Sequence, residues 1–323
     1  AKTAFQASDS RKQGVLTSKK PDISFEEIKQ DISNVINKIA PHDSKERFEA
    51  LGVGVFEESA WFTGRRQISS DTVKVNFRYA VIATGTRPFI PDIKGISDIP
   101  YFTNESIFSL TKLPDHLIIL GGGAIGIELA QAFTRLGSKV SIIEENFVLH
   151  NQDEEFKASI WHLLKKEGVS IYEQSFPKKI AAIGGRISVH TNQHVITGTH
   201  LLIATGRIPS TTKLKLENAG IATQNGLIKT NQHLRTDNKR IYAIGDVATT
   251  KRHTNMASAH ASVAIQNILL KVPTKINPYI IPYTIYVEPE LSHVGFSKHE
   301  AEQKFGKHNI ICLSQSFETN NRL

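Results

Sequence analysis

A glycine-rich turn between an apolar run and a helical pattern constrains the fold of this 323-residue chain more than any other feature. The turn, residues 121–126, reads Gly-Gly-Gly-Ala-Ile-Gly and follows the apolar run Leu-Ile-Ile-Leu. The helical pattern after it ends at Gly137, and a second apolar run ends at Glu144, 18 residues beyond Gly126. The sequence therefore predicts a parallel α/β unit that binds a dinucleotide, because a strand, a Gly-x-Gly-x-x-Gly turn, a helix, a second strand and an acidic residue follow one another in this order.

Each position of the turn has a chemical reason. Gly121 allows the tight turn, Gly123 lets a pyrophosphate approach the backbone, and Gly126 lets the helix pack closely on the strand. The helix N-terminus offers N–H groups and partial positive charge to the phosphates. Glu144 is placed to bond a ribose 2′-hydroxyl and to repel a 2′-phosphate, which favours NAD over NADP. The predicted NAD contacts here are Gly121, Gly123, Ala124, Ile125, Gly126 and Glu144.

Three more apolar runs end in turns that could hold a ligand. Residues 79–83 and 201–204 both lead into Ala-Thr-Gly, ending at Gly85 and Gly206, followed by a basic residue and a proline that prevents a helix. Residues 241–244 end in Gly245 and Asp246. Because ligands of open α/β sheets bind at the carboxyl ends of strands, we expect these turns near a binding site.

Further patterns predict the remaining elements. Residues 24–39 form a helix with an apolar stripe and a capping box of Ser24 and Glu27, and residues 44–51 form a shorter helix. Helices are also predicted over 153–166, stopped by Gly168, and over 257–270. Short strands are predicted within 53–77 and 180–197, and residues 271–281 form a linker.

The order of the glycine turns resembles the two-dinucleotide flavoprotein disulfide reductases, a family that includes dihydrolipoamide dehydrogenase, glutathione reductase and mercuric reductase. Residues 40–44, 103–108 and 282–295 are similar to the mercuric reductase and dihydrolipoamide dehydrogenase side of that family. The resemblance implies an α/β fold of two Rossmann-like (three-layer ββα) nucleotide-binding domains. The NAD-binding domain, residues 111–208, is inserted in an FAD-binding domain of residues 1–110 and 209–277. Residues 278–323 begin an α+β interface domain that mediates dimerisation.

The resemblance also implies roles for single residues. Asp246 matches the acid that bonds the ribityl chain of FAD, Ala60 lies where the family places backbone near the adenine, and Gly206 approaches the nicotinamide side of NAD. Residues 253–256 fall where a helix N-terminus points at the flavin ring, with Asn255 standing where the family often has histidine. The implied FAD contacts are Ala60, Thr84, Gly85, Thr86, Arg207, Asp246, His253, Thr254 and Asn255.

The sequence allows two interpretations of the role of Glu128. We place it in the first turn of the nucleotide helix, where the helix dipole favours a carboxylate. The resemblance instead pairs it with a lysine close to the hydride-accepting nitrogen of the flavin, which would make it part of the catalytic centre.

Two parts of the family's redox machinery do not occur in this sequence. They are the first Gly-x-Gly-x-x-Gly, which holds the ADP half of FAD, and the Cys-x4-Cys redox pair. Residues 1–4 resemble the continuation of the helix that carries this pair, and residues 278–323 resemble only the opening of a domain whose later part holds a His-Glu pair. We therefore expect a chain truncated at both ends, with weak FAD binding and no disulfide reductase activity of its own.

Composition excludes several other classes. The net charge is +8, but the basic residues are scattered without interleaved aromatics, which argues against a nucleic-acid partner. Among the 13 histidines, His190 and His194 are four residues apart but lie in an expected hairpin rather than on a helix, so no metal site is predicted. Cys312 is the single cysteine and is expected to be a buried small side chain. No apolar run approaches the length of a membrane span and no signal peptide opens the chain, so a cytoplasmic location without membrane contact is predicted.

The resemblance implies hydride transfer between NAD(H) and FAD, with electrons passing on to a lipoyl or other dithiol, a disulfide or a metal substrate. The full-length protein is expected to be a homodimer. Since the substrate-contacting segments of the family lie outside this sequence, lipoamide, mercuric ion and other disulfides all stay open. Two alternatives stay open as well. One is a flavoprotein transhydrogenase or NADH oxidase without the disulfide, and the other is a non-catalytic NAD-binding remnant.

Overall fold

A computed structural model of the protein describes residues 1–9 and 22–316. The helices are α1 (Lys2–Asp9), α2 (Phe25–Ile39), α3 (Lys45–Ala50), α4 (Ala124–Arg135), α5 (Glu154–Glu167), α6 (Thr254–Ile265) and α7 (Lys298–Phe305). The strands are β1 (Trp61–Gly64), β2 (Gln67–Ser69), β3 (Lys74–Asn76), β4 (Ala80–Ile82), β5 (Thr86–Pro88), β6 (His116–Leu120), β7 (Lys139–Ile143), β8 (Ser170–Tyr172), β9 (Pro177–Ile183), β10 (Arg186–Thr191), β11 (Val195–Gly198), β12 (His200–Ile203), β13 (Arg207–Pro209), β14 (Thr223–Gln224), β15 (Leu227–Ile228), β16 (Ile241–Ala243), β17 (Tyr283–Ile285) and β18 (Leu291–His293).

A four-stranded parallel sheet in the order β12-β6-β7-β8 lies at the centre of one three-layer unit. Successive residues of β6 point to opposite faces of this sheet. Leu117 and Ile119 pack in one apolar core with residues of α4 and α5. Ile118 and Leu120 pack in a second core with the antiparallel sheet β11-β10-β9. Both faces are therefore covered, and for this reason β6 is apolar throughout its buried length.

A second parallel pairing joins β4 to β16. Ile241 and Ala243 of β16 share a core with Phe62, which lies in the antiparallel sheet β1-β2-β3. Tyr242 points to the opposite face and packs against Val263 of α6. The β4–β16 pair thus separates a layer of antiparallel strands from a helix, which is the same layering as in the four-stranded unit.

The C-terminal hairpin β17–β18 packs on α4. Ile285, Val287 and Leu291 share the apolar core of β6. The side-chain amide of Gln131 bonds the backbone of Glu288 in both directions: its Nε2 donates to the carbonyl at 3.0 Å, and its Oε1 accepts the N–H at 2.8 Å. These contacts fix the hairpin to the helix that follows the glycine turn.

Most of the predicted helices are confirmed within a few residues. The predicted helix over 24–39 is α2, with the Ser24 hydroxyl accepting the Glu27 N–H, although Val35, Ile36 and Ile39 on its apolar stripe are each at least half exposed. The helix predicted over 153–166 is α5, and Gly168 ends it in the left-handed region at φ +101°. The helix predicted over 257–270 begins three residues earlier, as α6, and ends in a π-helical turn, Gln266–Leu270.

The prediction that Cys312 is buried is wrong. Its side chain is exposed, and its neighbours Ile311 and Leu313 are 88% and 92% exposed. Residues 310–316 form neither helix nor strand, so no element carries this small apolar side chain into a core.

Within the described part of the chain, no helix combines the length and the apolar character needed to cross a membrane.

Candidate functional site

Of the three motif glycines in the Gly-x-Gly-x-x-Gly turn after β6, the fold itself requires the first and the third but not the second. A Cβ on Gly121, which has φ +104°, would lie 2.4 Å from the carbonyl oxygen of Ala204, and a Cβ on Gly126 would lie 2.0 Å from that of Gly121. A Cβ on Gly123 would meet no heavy atom within 4 Å. Gly123 therefore borders open space, and this is the position at which a ligand can approach the backbone.

Helix α4 begins at this open position without a side-chain cap. Its N-cap residue is Gly123, which has no side chain to accept a hydrogen bond from the first turn. The N–H groups of Ala124 and Ile125 in that turn are left to a ligand. A helix end of this kind, with its partial positive charge, is suited to a phosphate or another anion.

Glu144 follows β7 and bonds the glycine turn directly. Its Oε2 accepts the Gly122 N–H at 2.6 Å, and its Oε1 accepts the Asn146 N–H at 2.8 Å. Glu145 beside it is exposed. The structure thus brings the acid named from sequence into contact with the glycine turn and fixes the orientation of its carboxylate.

The two Ala-Thr-Gly turns pair with each other, which the sequence reasoning did not foresee. Strands β5 and β13 form an antiparallel ribbon with Thr86 opposite Pro209. The Phe89 N–H donates to the carbonyl of Gly206 at 2.9 Å, and the Ser210 N–H donates to that of Gly85 at 3.0 Å. The sequence signal that could have indicated this pairing is a repeat, because each turn consists of Ala-Thr-Gly, two further residues and a proline.

Next to this ribbon, side chains from four separate segments form one polar network. The Thr86 hydroxyl donates to Oδ2 of Asp246 at 3.1 Å, and Nε of Arg207 donates to the Thr86 hydroxyl oxygen at 2.7 Å. Nη1 of Arg207 donates to Oδ1 of Asn104 at 2.9 Å. Thr86, Arg207 and Asp246, all named from sequence, are thus brought together. Asn104 was missed as a site residue, although it lies in a segment already singled out for its resemblance.

The start of α6 contacts the C-terminal segment. His253 is its N-cap residue without a side-chain cap bond, and its ring stacks on Tyr283 with centroids 4.4 Å apart. Burial lowers the pKa of His253, while the nearby carboxylate of Asp246 opposes that shift. Nδ2 of Asn255 donates to the carbonyl of Pro282 at 3.0 Å, and Thr254 is exposed.

The structure contradicts the simpler interpretation of Glu128, which placed it in the first turn of the nucleotide helix. Helix α4 begins at Ala124, so Glu128 lies beyond the first turn and the dipole argument does not apply to it. Burial raises the pKa of this carboxyl, opposed by a hydrogen bond in which Oε1 accepts the Tyr286 N–H at 2.8 Å. Its pairing with a lysine near the flavin stays a prediction.

The remaining site residues named from sequence lie at turns. Thr84 and Gly85 lie between β4 and β5, and Gly206 immediately precedes β13. Gly85 and Gly206 have φ of +62° and +133°, and a Cβ on either would meet no heavy atom within 4 Å. Ala60 immediately precedes β1. Both Ala-Thr-Gly turns therefore leave open space beside the backbone.

A comparison with protein families matches residues 4–266 to the pyridine nucleotide-disulphide oxidoreductases. The chain belongs to this family. Among curated relatives, the mercuric reductase of Streptomyces lividans is 32% identical over 248 residues, which are 75% of this chain and 52% of the relative. The mercuric reductase of Staphylococcus aureus is 29% identical over 262 residues, 79% of this chain and 48% of the relative. The chain spans about half the length of these relatives.

Solved structures support the same assignment. The HOCl-induced flavoprotein disulfide reductase RclA of Escherichia coli superposes with a TM-score of 0.80 at 26% identity, covering 94% of this chain and 69% of that one. Its Cu(II) complex also superposes with a TM-score of 0.80. The predicted resemblance to the disulfide reductase family is confirmed, and so is a mixed α/β fold of that kind.

The residues present fit the groups that the family uses. The open backbone at Gly123, the uncapped α4 and the oriented Glu144 suit the pyrophosphate and ribose of NAD. The open Gly85, the Asp246–Thr86 pair and the uncapped α6 suit the flavin half of FAD. Nε of Arg252, beside this second site, is a buried donor with no acceptor among the described residues. Over the same described ranges, no three His, Cys, Asp or Glu side chains group as metal ligands.

Proposed function

We propose that this chain is the nucleotide- and flavin-binding part of an oxidoreductase that passes hydride between NAD(H) and FAD and electrons on to a further substrate. The observation that carries the proposal is the contact between Glu144 and the glycine turn, beside the open backbone of Gly123. The second site, around Thr86 and Asp246, lies at the carboxyl ends of β4 and β16, where an α/β sheet binds its ligand. Family membership supports both.

The proposed arrangement follows the two layered units. Residues 111–208 form an NAD-binding domain inserted in an FAD-binding domain of residues 1–110 and 209–277. The β5–β13 ribbon supports this division, because it ties the strand leading into the insertion to the strand leaving it. Residues 278–323 begin an interface domain for a homodimer in the full-length protein.

The chain's own residues would bind and orient the two cofactors. When bound, NAD(H) supplies or takes the hydride and FAD exchanges it for electrons that go to the substrate. The N–H groups at the start of α4 hold the NAD pyrophosphate, and the Glu144 carboxylate accepts a hydrogen bond from the ribose. Gly206 leaves room for the nicotinamide side. Asp246, held by Thr86, accepts a hydrogen bond from the ribityl chain, and the uncapped start of α6 offers partial positive charge to the flavin ring.

The proposed substrates are a dithiol or disulfide, including a lipoyl group, or a metal ion. The relatives' names support these classes, since they include mercuric reductases and a flavoprotein disulfide reductase. A cytoplasmic location without nucleic-acid or membrane partners is part of the proposal.

NAD is proposed over NADP because Glu144 stands where a 2′-phosphate would bring a second negative charge. Calorimetric titration of the chain with NADH and NADPH tests this preference, and we expect NADH to bind more tightly. A parallel titration with FAD tests the flavin site. Asp246→Ala should weaken FAD binding about tenfold, equivalent to about 1.4 kcal/mol, whereas Asp98→Ala, which removes an exposed carboxylate elsewhere, should not. Equal affinities for NADH and NADPH, or FAD binding unchanged in Asp246→Ala, would contradict the respective assignments.

One observation favours the alternative of a non-catalytic NAD-binding protein. The parallel sheet at the glycine turn has four strands, whereas β4 pairs with β16 alone among the described strands, and Val81 in it is 45% exposed. The FAD titration decides between the two, since this alternative binds NADH and does not bind FAD.

A further inference from the structure

Arg252 has a hydrogen-bonding capacity that the fold does not use. It lies between the Gly245–Val247 turn and α6. Its Nη1 donates to the carbonyl of Arg207 at 2.5 Å, but its Nε–H is buried and finds no acceptor among the described residues. Native proteins pair nearly all of their buried donors, so this donor calls for an acceptor other than the described residues, and a ligand in the adjoining site can supply one.

The surroundings of Arg252 indicate the charge of that acceptor. The guanidinium of Arg207 and the uncapped start of α6 add positive charge to that of Arg252. Asp246 supplies a negative charge in the same place, and its carboxylate already accepts the Thr86 hydroxyl. Two guanidinium groups and a helix end outweigh this one carboxylate, so the group as a whole favours an acceptor that gains negative charge during the reaction.

We propose that Arg252 is a positioning residue that donates its Nε–H to the acceptor edge of the flavin pyrimidine ring and stabilises the charge this edge gains on reduction. The charge arises because a hydride from NADH brings two electrons and one proton, NAD⁺ leaves, and the ring retains one net negative charge. The inference rests on the FAD site of the proposed function. Arg252 would provide positive charge at the flavin ring in addition to the partial charge at the start of α6.

The test compares the affinity of the chain for reduced and oxidised FAD, obtained from the redox equilibrium of the bound flavin with a dye of known potential. Arg252→Met should reduce the preference for reduced over oxidised flavin about tenfold, which lowers the potential by about 30 mV for a two-electron couple. Arg252→Lys should restore only the part of the preference that comes from charge, because it returns the charge without the Nε–H. An Arg252→Met potential equal to that of the unaltered chain would overturn the proposal.

Lys251→Met is the matched control. Lys251 carries the same charge on the adjacent residue, but its Nζ lies 3.5 Å from Glu300 and 4.5 Å from the ring centroid of Tyr279. It already has partners in the C-terminal segment, so its removal should leave the flavin potential unchanged. An equal shift in both variants would show a general charge effect and would overturn the assignment to Arg252.

Thermal unfolding of the ligand-free chain separates this proposal from the function on which it rests. The Nε–H of Arg252 finds no partner among the described residues, so Arg252→Met removes only the Nη1 bond to the carbonyl of Arg207. It should therefore lower the Tm by no more than about 2–4 °C. A larger loss would show that Arg252 has mainly a structural role and would overturn the proposal without any flavin present. Failure of the unaltered chain to bind FAD would instead count against the proposed function.

Discussion

At the scale of single residues, the glycine turn separates what the fold needs from what a ligand needs. Gly126 has no room for a Cβ because the carbonyl of Gly121 would lie 2.0 Å away, whereas Gly123 has open space. Sequence spacing predicted the close packing at Gly126, since the motif encodes a fixed local geometry, and the role of Gly123 in binding a pyrophosphate stays a prediction. The pKa of Glu128 could not be predicted in this way, because it depends on burial under a C-terminal hairpin more than 150 residues away.

The two glycines give a matched pair of substitutions. Gly123→Ala should weaken NADH binding by about tenfold or more, or about 1.4 kcal/mol, with little change in stability, since its φ of −74° suits alanine. Gly126→Ala should destabilise the fold by about 1–3 kcal/mol, because the backbone must move to admit the methyl group. Denaturant unfolding and NADH titration of both variants check this. Unchanged NADH binding in Gly123→Ala would contradict the assigned pyrophosphate position.

The choice of nucleotide depends on one charge. Glu144→Gln should weaken NADH binding and narrow the difference between NADH and NADPH, because the amide no longer repels a 2′-phosphate. Glu145→Gln, at the exposed neighbour, should leave both affinities unchanged. Fluorescence titration with the two nucleotides measures the ratio. The same ratio in the unaltered chain and in both variants would show that Glu144 does not distinguish the ribose of NADH from that of NADPH.

Glu128 should give stability a pH dependence of known sign. Burial raises its pKa, so the folded protein holds this proton more tightly than the unfolded chain does. Its contribution to stability is therefore largest below the ordinary glutamate pKa and is lost as the pH rises through the raised value. Relative to Glu128→Gln, which retains an acceptor for the Tyr286 N–H, the unaltered chain should lose stability as the pH rises from the ordinary glutamate pKa, about 4.3, through the raised pKa. A difference in Tm that stays constant over this range would contradict the assignment.

At the scale of elements, the sequence predicts structures formed by neighbouring residues and misses pairings between segments that are far apart in the chain. The strand–turn–helix of β6 and α4 was predicted because its apolar period and its glycines occur within 20 residues of chain. The β5–β13 ribbon was not, because its partners lie about 120 residues apart and only a repeated Ala-Thr-Gly hints at them. The exposure of the apolar stripe of α2 could not be predicted for a related reason. An apolar period shows that a face can be buried, but it does not identify the surface that covers it.

The bonds between α4 and the C-terminal segment provide a test at this scale. Gln131→Ala removes the side-chain partner of the Glu288 N–H and one of the two side-chain donors to its carbonyl, the other being Nη2 of Arg135, and should cost about 1–3 kcal/mol. Thr134→Val, on the same helix, removes a buried hydroxyl that has no hydrogen-bond partner within residues 1–9 and 22–316, and should be neutral or stabilising. The two free energies of unfolding, measured in denaturant, check the claim. Equal losses in both variants would contradict the role given to Gln131.

At the scale of the whole molecule, the layered units and the family together support the two proposed nucleotide sites, but not turnover of a substrate. The sequence contains one cysteine, Cys312, so this polypeptide cannot form an internal two-cysteine redox pair. The chain alone should therefore show no NADH-dependent reduction of lipoamide or glutathione disulfide. Steady-state assays with both substrates check this, and measurable turnover with either would contradict the account.

The most direct measurement follows the visible absorbance of FAD bound to the chain while NADH is added without oxygen. The account predicts that the flavin band bleaches, because the chain binds both cofactors and places them for hydride transfer. In Gly123→Ala the bleaching should require a higher NADH concentration. Retained FAD that stays oxidised in the presence of saturating NADH would contradict the central claim that the two sites serve one reaction.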